Sequence, residues 1–390
     1  MGAGRPPVRR TGKLVALACI IALASAAAAE ALRWSGGVQR AEQPAVAGTT
    51  VTAPTAITIN EVSRSIIPMP AGVPSAHASA LAALPRGDLL SFWWAGSRES
   101  GPDVKVYASR WSNGTWSNNW VVASRESLGK ALGFGVRRIG NPVAWTAPDG
   151  TVHLYVVATG LGGWAASRIV QMHSRDDGAT FTVRRVLPLS PLFNTSTLVR
   201  TSAVPLADGG WWLPVYFEIG NKYPMLMSFD AGGEPRRIGR IGSGTSSLQP
   251  AIVPVSATEV RAWMRDAGEG QRVQQALSRD GGNSWEDLAP SQLSNQSTSL
   301  AALRLSSGNF LMLYNHVAAG GSDRNVLSLA LSTDARTWRP LADIVSGKPG
   351  DEFSYPTMQQ VGDQLHITYT HQRQAIAHHL LRITPGKEPL

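Results

Sequence analysis

Cysteine is almost absent from this chain, since its 390 residues include only Cys19. That residue lies in an N-terminal apolar run, so the rest of the chain can form no disulfide and no cysteine-ligated metal site. The eight histidines lack the compact spacing of zinc ligands. Charged residues make up only 16% of the chain, and lysines and arginines form no block of the kind that binds nucleic acid. We therefore expect no metal, no cofactor and no nucleic-acid partner.

Long apolar runs are also scarce, and the prominent one covers residues 14–29. Four basic residues precede it, and its small residues at 24–29 lead into Glu30. The run is shorter than the roughly 20 residues that a membrane helix needs. Residues 1–31 are therefore expected to be an export signal, with a retained N-terminal anchor as the alternative. The protein would be periplasmic or secreted, or held at the inner membrane by the uncleaved segment.

The next segment differs in composition from the remainder of the chain. Residues 32–61 are rich in Ala, Thr, Pro and Val and lack helical periodicity. This composition is typical of a linker. The folded domain is then expected over residues 62–390.

A short turn pattern recurs along that domain. Its clearest copy is Ser-x-Asp-x-Gly-x-x-Trp at 278–285, and residues 174–181 repeat it with Phe in the last place. Weaker copies lie at 109–116, 228–232 and 332–338, so that successive first serines are 65, 54, 50 and 54 residues apart. A period near 50 indicates a repeat architecture.

A second series of turn signals runs in phase with the first. These turns lie at residues 85–88, 148–150, 207–209, 256–258, 306–308 and 362–363. Short strand-like runs flank each of them, and the first five are each followed 19 to 24 residues on by one Ser/Asp turn. The two series predict an all-β fold, a six-bladed β-propeller of four-stranded antiparallel blades. A β-helix has a shorter period, and an array of immunoglobulin-like domains has a period nearer 100 residues.

The residues of the Ser/Asp turn suit a structural role. Asp and Ser side chains can bond backbone amides inside the turn, and Gly accepts a positive φ at no steric cost. The aromatic residue is expected to pack under the turn and anchor the next strand. We therefore do not expect these aspartates to be catalytic.

This turn resembles the Asp-box, or bacterial neuraminidase repeat, of the sialidase-like superfamily, and the resemblance covers roughly residues 68–383. The closer likeness is to a bacterial sialidase-like group with a Ser/Cys-His-Ala-Ser stretch, which here is Ser-Ala-His-Ala-Ser at 75–79. Further stretches that look like that group lie at 99–104, 140–143, 264–266, 313–316 and 353–356. The resemblance implies a sialidase-like propeller.

The position of a site follows from the two series of turns. If one series joins strands one and two of each blade and the other joins strands three and four, both lie on the same face. The opposite face then collects polar residues from every blade near the axis: His77, Arg98, Glu99, Asp103, Arg138, Asn141, Arg200, Glu218, Arg265, Asp266, His316, Arg324, Tyr355 and His371. We expect a glycan pocket there, and we expect a monomer.

The resemblance also implies catalytic roles. Sialidases use a tyrosine nucleophile because a carboxylate would be repelled by the acid group of the substrate. By position, Tyr355 resembles that nucleophile, Glu218 its base and Asp103 the acid/base at the leaving oxygen. Arg265 and, more loosely, Arg324 resemble arginines that bind the substrate carboxylate.

Four further residues are expected to contact substrate: His77, Arg98, Asn141 and His316. Each candidate also has a structural explanation, such as a loop cap for Asp103 or a local pair with Asp266 for Arg265. These alternatives stay open at the level of sequence.

Blade one departs from the sialidase pattern. Where true sialidases carry an arginine for the substrate carboxylate, this chain has Ala-His-Ala-Ser at 76–79. A histidine cannot supply the permanent planar fork of an arginine. A uronic acid therefore competes with sialic acid as the expected sugar, and His77 could bind its carboxylate or act as an acid or base.

Three functions remain open. The first is an exported exo-glycosidase that hydrolyses a terminal acidic sugar from a glycan or polysaccharide. The second is a polysaccharide lyase acting on uronate glycans, and the third is a non-catalytic glycan-binding propeller. The net charge of +9 favours an acidic glycan or a membrane surface as partner, although an ordinary basic surface explains it equally well.

Overall fold

The computed structural model describes residues 9–37, 45–47, 53–189, 196–317 and 324–386. Its strands form six antiparallel sheets arranged as the blades of a propeller. The prediction of an all-β, six-bladed β-propeller is confirmed.

The first three blades follow one another along the chain. Blade one contains β2 to β6 (Ser75–Ala83, Leu89–Gly96, Lys105–Ser112, Thr115–Trp116 and Trp120–Ser124). Helix α2 (Arg125–Leu132) leads to blade two, which contains β7 to β10 (Arg138–Thr146, Val152–Thr159, Ser167–Ser174 and Thr182–Val186). A short 3-10 helix, Gly163–Ala166, lies between β8 and β9. Blade three contains β11 to β15 (Thr197–Val199, Val204–Pro205, Trp211–Phe217, Tyr223–Phe229 and Pro235–Arg240).

The other blades repeat this order. Blade four contains β16 to β19 (Ser247–Pro254, Val260–Asp266, Gln274–Ser278 and Glu286–Leu288). Blade five contains β20 to β23 (Ala301–Arg304, Phe310–Asn315, Val326–Ser332 and Arg339–Ser346). Blade six contains β24 to β26 (Phe353–Val361, Gln364–His371 and Ala375–Pro385) together with β1 (Ile57–Ile66).

Two blades have five assigned segments because one of their strands is split. In blade one, β5 and β6 both pair with β4 as the outermost strand. In blade three, β11 and β12 both pair with β13 as the innermost strand. Each blade therefore keeps four strand positions.

The ring is closed by the N-terminal strand. β1 pairs antiparallel with β26 from Ile57↔Pro385 to Ile66↔Ala377, and the innermost strand β24 packs against β2. β1 begins within the segment expected to be linker, because this pairing supplies the fourth strand of blade six.

The N-terminal helix is α1, Arg9–Gly37, and it too extends into the expected linker. No helix among the described residues combines the length and apolarity needed to cross a membrane. Residues 45–47 lie against blade three, where Val46 bridges Leu206 and the amide of Ala47 donates to the carbonyl of Pro205 at 2.9 Å.

Both series of turns lie on one face, which we call the turn face. The Asp-Gly turns join the innermost and second strands, and the Ser/Asp turns join the third and fourth strands. The remaining loops, which we call the site-face loops, join the second and third strands of a blade or lead into the next blade. The arrangement expected from the spacing of the turns is therefore present.

The clearest Ser/Asp turn is held by its own side chains. Ser278 Oγ donates to Asp280 Oδ1 at 2.8 Å and accepts from the amide of Gly282 at 2.8 Å. Asp280 Oδ1 also accepts from the amide of Ser284 at 2.8 Å. Gly282 has φ +90°, and a Cβ there would lie 2.6 Å from Trp212 of the preceding blade. The glycine is thus required both for the turn and for contact between blades.

Arginines join neighbouring blades on the turn face. The side chain of Arg110 in blade one donates to the carbonyl of Asp177 in blade two. Arg184 Nη1 of blade two donates to Gly232 O in blade three at 2.6 Å, and Arg237 Nη2 of blade three donates to Asn283 O in blade four at 2.9 Å. These arginines therefore stabilise the contacts between neighbouring blades.

Candidate functional site

The innermost strands of four blades are interrupted at the same level. A one-residue bulge lies between His77 and Ala80, Ile139 and Pro142, Leu248 and Ala251, and Ser354 and Thr357. Three non-glycine residues in these bulges have positive φ: Ala78 (59°), Gln249 (54°) and Tyr355 (53°). Bulges re-aim side chains, and such φ values cost about 1–3 kcal/mol each and occur at functional sites. The innermost strands of these four blades therefore depart from regular β geometry at the expected site.

Tyr355 and His77 are in contact there. Their ring centroids are 4.1 Å apart, and His77, which is 2% exposed, also packs edge-on against Trp94 at 5.5 Å. His77 Nδ1 is buried and has no hydrogen-bond partner among the described residues. Burial lowers the pKa of His77 well below its usual range, and the charges of Arg373, Arg200 and Arg324 lower it further. His77 is therefore neutral at physiological pH.

Arg200 of blade three crosses the axis beneath this pair. Its Nη2 donates to Pro356 O at 2.8 Å, and its Nη1 donates to Ser79 O at 3.1 Å and to Thr357 Oγ1 at 3.3 Å. Its Cζ lies 5.0 Å from the centroid of the Tyr355 ring. Desolvation lowers the pKa of Arg200 to about 10, so it keeps its charge at neutral pH. Arg200 thus fixes the backbone that follows both His77 and Tyr355.

Glu352 binds two arginines beside Tyr355. Its Oε1 lies 3.2 Å from Arg324 Nη1, and its Oε2 accepts from Arg373 Nε at 2.7 Å. Ser354 Oγ also donates to Glu352 Oε1, at 2.7 Å. Although burial opposes it, these hydrogen bonds and charges lower the pKa of Glu352, so the carboxylate is ionised. Arg373 also pairs with Glu99 of blade one.

Glu218 directly follows β13 and is exposed. Partial desolvation raises the pKa of Glu218, and attraction to Arg265 and Lys222 opposes that shift. No hydrogen bond joins Glu218 to Tyr355. The buried Tyr216 lies within electrostatic reach of both, since burial and then the charges of Glu218 and Tyr355 raise its pKa.

Arg265 faces the same rim. Its Nε and Nη2 donate to Ser297 Oγ at 3.1 and 3.0 Å. It forms no ion pair with Asp266, whose Oδ1 instead accepts from the amide of Gly268 at 2.8 Å. Arg265 and Arg324 are linked through one residue, because Arg324 Nη2 donates to Ser297 O at 3.4 Å. The two expected carboxylate-binding arginines are thus brought together.

Asp103 has a local structural role. Its Oδ1 accepts from Ser97 Oγ and its Oδ2 from the Ser97 amide, both at 2.7 Å. The hydrogen bond from the Ser97 side chain, opposed by desolvation, lowers the pKa of this exposed carboxyl group. In this state Asp103 caps its loop, and its pKa is displaced away from the value that suits a general acid.

The other expected contacts lie at the rim. Asn141 Nδ2 donates to Val199 O of blade three at 3.3 Å. Arg98 and His316 are exposed, and the ring centroid of His316 is 6.2 Å from that of Tyr314. Among the described residues, no hydrogen bond or ring contact joins any of these three to the His77–Tyr355 pair. No cluster of His, Cys, Asp and Glu suited to a metal is found in the part of the chain that the structure describes.

Two residues of the site were not expected from sequence. Glu352 lies three residues before Tyr355, next to a stretch that the resemblance had already singled out. Arg373 lies in the last hairpin turn, where Gln372 and Arg373 have φ of 56° and 53°. Gly and Asn are the usual residues at such positions, so the sequence carried no signal for this turn.

A separate cavity lies on the turn-face side of Arg200. Its volume is about 430 Å³, and it is lined by the innermost strands of blades three to six, including Thr201, Ala251 and Thr357. Arg200 lines this cavity and also lies against the ring of Tyr355.

A family model described as a BNR repeat-like domain matches residues 87–367, more than half of the chain. The chain belongs to the BNR repeat-like domain family. The expected membership of the sialidase-like BNR superfamily is thus confirmed. No curated protein sequence matches it significantly.

Solved structures share this fold at low sequence identity. The Hadza microbial sialidase Hz136 is 14% identical with a TM-score of 0.66, over 81% of this chain and 66% of that one. The Trypanosoma rangeli sialidase in complex with sialic acid is 16% identical with a TM-score of 0.60, over 84% and 58%. A Dyadobacter fermentans protein of unknown function is 15% identical with a TM-score of 0.62, over 84% and 99%. At these identities the likeness shows the fold alone.

Proposed function

We propose that this protein is an exported exo-glycosidase that hydrolyses a terminal acidic sugar from a glycan or polysaccharide. The observation that carries the proposal is the convergence of Tyr355 with arginines of four blades, Arg200, Arg265, Arg324 and Arg373, at one end of the axis. These arginines would bind the negatively charged carboxylate of an acidic sugar. Export rests on the apolar run at residues 14–29.

In the proposed reaction Tyr355 attacks the anomeric carbon. The bond between that carbon and the leaving oxygen breaks, and a proton must reach the oxygen. Tyr355 loses its proton as it attacks, and Glu218 accepts it once substrate binding brings the two within hydrogen-bond distance, since they are not hydrogen-bonded in the resting site. When substrate binding opens the bonds from Ser97 that keep Asp103 ionised, Asp103 takes up a proton and donates it to the leaving oxygen. Asp103 then accepts a proton from water as that water attacks the anomeric carbon, the bond from this carbon to the Tyr355 oxygen breaks, and Glu218 returns the proton to Tyr355.

A specific observation favours a lyase as the second candidate. His77 and Tyr355 are in contact, and His77 is held neutral by burial and by nearby arginines. A neutral imidazole can take the proton next to a uronate carboxylate, and the Tyr355 hydroxyl can donate one to the departing oxygen. The product is then an unsaturated sugar, with no water consumed.

The deciding experiment is a panel of acidic oligosaccharides incubated with the purified protein. Release of a free acidic monosaccharide, or hydrolysis of a fluorogenic sialoside or glucuronide, supports the exo-glycosidase. A product that absorbs in the near ultraviolet supports the lyase. Binding without any turnover supports a non-catalytic glycan-binding propeller and contradicts both enzymes.

A further inference from the structure

Arg373 supplies a positive charge close to the position in blade one where the sequence has no arginine. Blade one presents His77 where a sialidase would present an arginine, and His77 is uncharged. The hairpin turn of blade six lies directly against this point, because the amide of Ala76 donates to the carbonyl of Arg373 at 2.9 Å. The backbone of Arg373 therefore lies beside blade one, and its guanidinium group reaches Glu99 of that blade.

The charge of Arg373 reaches His77. After burial, Arg373 is the largest contributor to the lowered pKa of His77, ahead of Arg200 and Arg324. Arg373 is also joined to Arg324 through Glu352, whose two oxygens each bind one of them. Arg373 thus belongs to the same positively charged group as the arginines expected from sequence.

The turn that carries Arg373 is held in an unfavourable conformation. Both Gln372 and Arg373 have positive φ, which costs an ordinary residue about 1–2 kcal/mol. Glu352 holds the turn in place: its carbonyl accepts from the amide of Gln372 at 2.7 Å, and its amide donates to Gln372 Oε1 at 3.1 Å. Strain of this kind occurs where the position of a side chain matters for function.

The two carboxylates on Arg373 differ in how firmly they are held. Glu352 is 22% exposed and is bonded to Arg324 and Ser354 as well. Glu99 is 53% exposed, and Arg373 is its ion-pair partner among the described residues. An exposed ion pair contributes little free energy, so an incoming carboxylate can displace Glu99 while Glu352 keeps Arg373 in place.

We propose that Arg373 binds the carboxylate of the acidic sugar, with Glu99 occupying that place in the free protein. This inference rests on the proposed function for its substrate class. Arg373 then takes the part of the absent blade-one arginine, reaching the pocket from blade six. A guanidinium group suits this part because it binds a carboxylate through two parallel hydrogen bonds.

The test compares acids with their uncharged esters. Binding of N-acetylneuraminic acid, glucuronic acid and their methyl esters is measured by calorimetry on the full chain and on Arg373→Gln. We expect Arg373→Gln to weaken binding of the acid that the protein prefers by about ten- to a hundredfold and to leave ester binding unchanged. Arg373→Lys should recover part of the loss. Arg279→Gln, which removes an exposed arginine of the turn face, is the matched control.

We expect Glu99→Gln to change the affinity for the acid in the direction opposite to Arg373→Gln. Removing the competing carboxylate should strengthen binding of the acid by up to about fivefold, because it removes a surface ion pair that the ligand must break. If Arg373→Gln fails to fold, the double variant Arg373→Gln with Glu352→Gln removes the stranded carboxylate, and it is compared with Glu352→Gln alone because Glu352 also binds Arg324. Circular dichroism establishes folding for each variant.

Three results would overturn the proposal: no preference of the wild-type protein for acid over ester, an unchanged acid affinity in Arg373→Gln, or an equal loss for acid and ester. These measurements need no turnover. Acid selectivity that depends on Arg373, in a protein that cleaves no glycan, contradicts the proposed reaction and leaves the role of Arg373 intact.

Discussion

The two faces of the propeller use the same residue types in different ways. On the turn face, carboxylates and guanidinium groups have close partners inside the fold, as Asp280 has in Ser278 and Ser284 and as Arg184 has in the next blade. On the site face, Arg324 and Arg373 of two blades share Glu352, Arg373 also pairs with the exposed Glu99, and Arg98 lies exposed. Charge that is satisfied within the fold stabilises blades, and charge that is left available can bind a ligand.

Backbone conformation separates the faces in the same way. The turn face reaches positive φ largely through glycines such as Gly178 and Gly282. Near the site, Ala78, Gln249, Tyr355 and Arg373 adopt positive φ without being glycine. The fold therefore gives up stability at the site, where side chains at those positions are needed.

The largest expected effect comes from Tyr355→Phe, which removes only a hydroxyl group. Under either enzymatic proposal the turnover number should fall at least about a hundredfold, because the reacting oxygen is lost. The unfolding midpoint should stay near that of the wild type, since Tyr355 is partly exposed and the ring that packs on His77 and Arg200 is retained. Asp280→Asn is the control from the turn face, and unchanged turnover in Tyr355→Phe would contradict the assigned site.

Arg200→Met should destabilise the fold more than any substitution at the rim of the site. It leaves the carbonyl of Pro356 without its donor and weakens the join between blades one, three and six. We expect a loss of about 2–4 kcal/mol in the free energy of unfolding, measured with denaturant. A loss below about 0.5 kcal/mol would show that the axis does not depend on this arginine.

The sequence predicted the six blades because their turns need particular residues at a fixed period. It did not predict β1 as the closing strand, because residues 57–66 carry no turn signal and pair only with the far end of the chain. Asn141, Gln249 and Tyr355 each precede a proline in an innermost strand, and that signal could have located the bulges. The packing of His77 on Tyr355 and the turn at Arg373 depend on blades meeting in space, which no local pattern records.

Low pH is expected to destabilise the contact between blades one and six that closes the propeller near the turn face. His366 Nδ1 and His378 Nε2 are 3.0 Å apart, and Trp116 Nε1 of blade one donates to His378 Nδ1 at 3.1 Å. Burial lowers the pKa of His366 to about 4 and, with the neighbouring His366 and His379, that of His378 to about 3. The unfolded chain therefore binds these protons first, with a pKa near 6.5.

Stability is accordingly expected to fall as pH drops below about 6.5 and to keep falling until about pH 4 for His366 and lower for His378. The loss should be on the order of 2 kcal/mol per histidine at pH 5. Denaturant unfolding at pH 7 and pH 5 measures it. His366→Gln should reduce the difference between the two pH values, whereas His316→Gln, at an exposed position, should not. Equal pH dependence in wild type and His366→Gln would contradict this origin.

The smallest effect is expected from Asp280→Asn on the turn face. Asparagine keeps an oxygen for the amide of Ser284 but loses the charge that accepts the hydroxyl protons of Ser278 and Ser284. The free energy of unfolding should fall by about 1 kcal/mol, with turnover and acid binding unchanged. Asp176→Asn should behave alike, because hydrogen bonds from Ser174 and Thr180 lower the pKa of Asp176 to about 2 in the same arrangement. A loss of turnover in either variant at unchanged stability would place function on both faces and end the distinction between them.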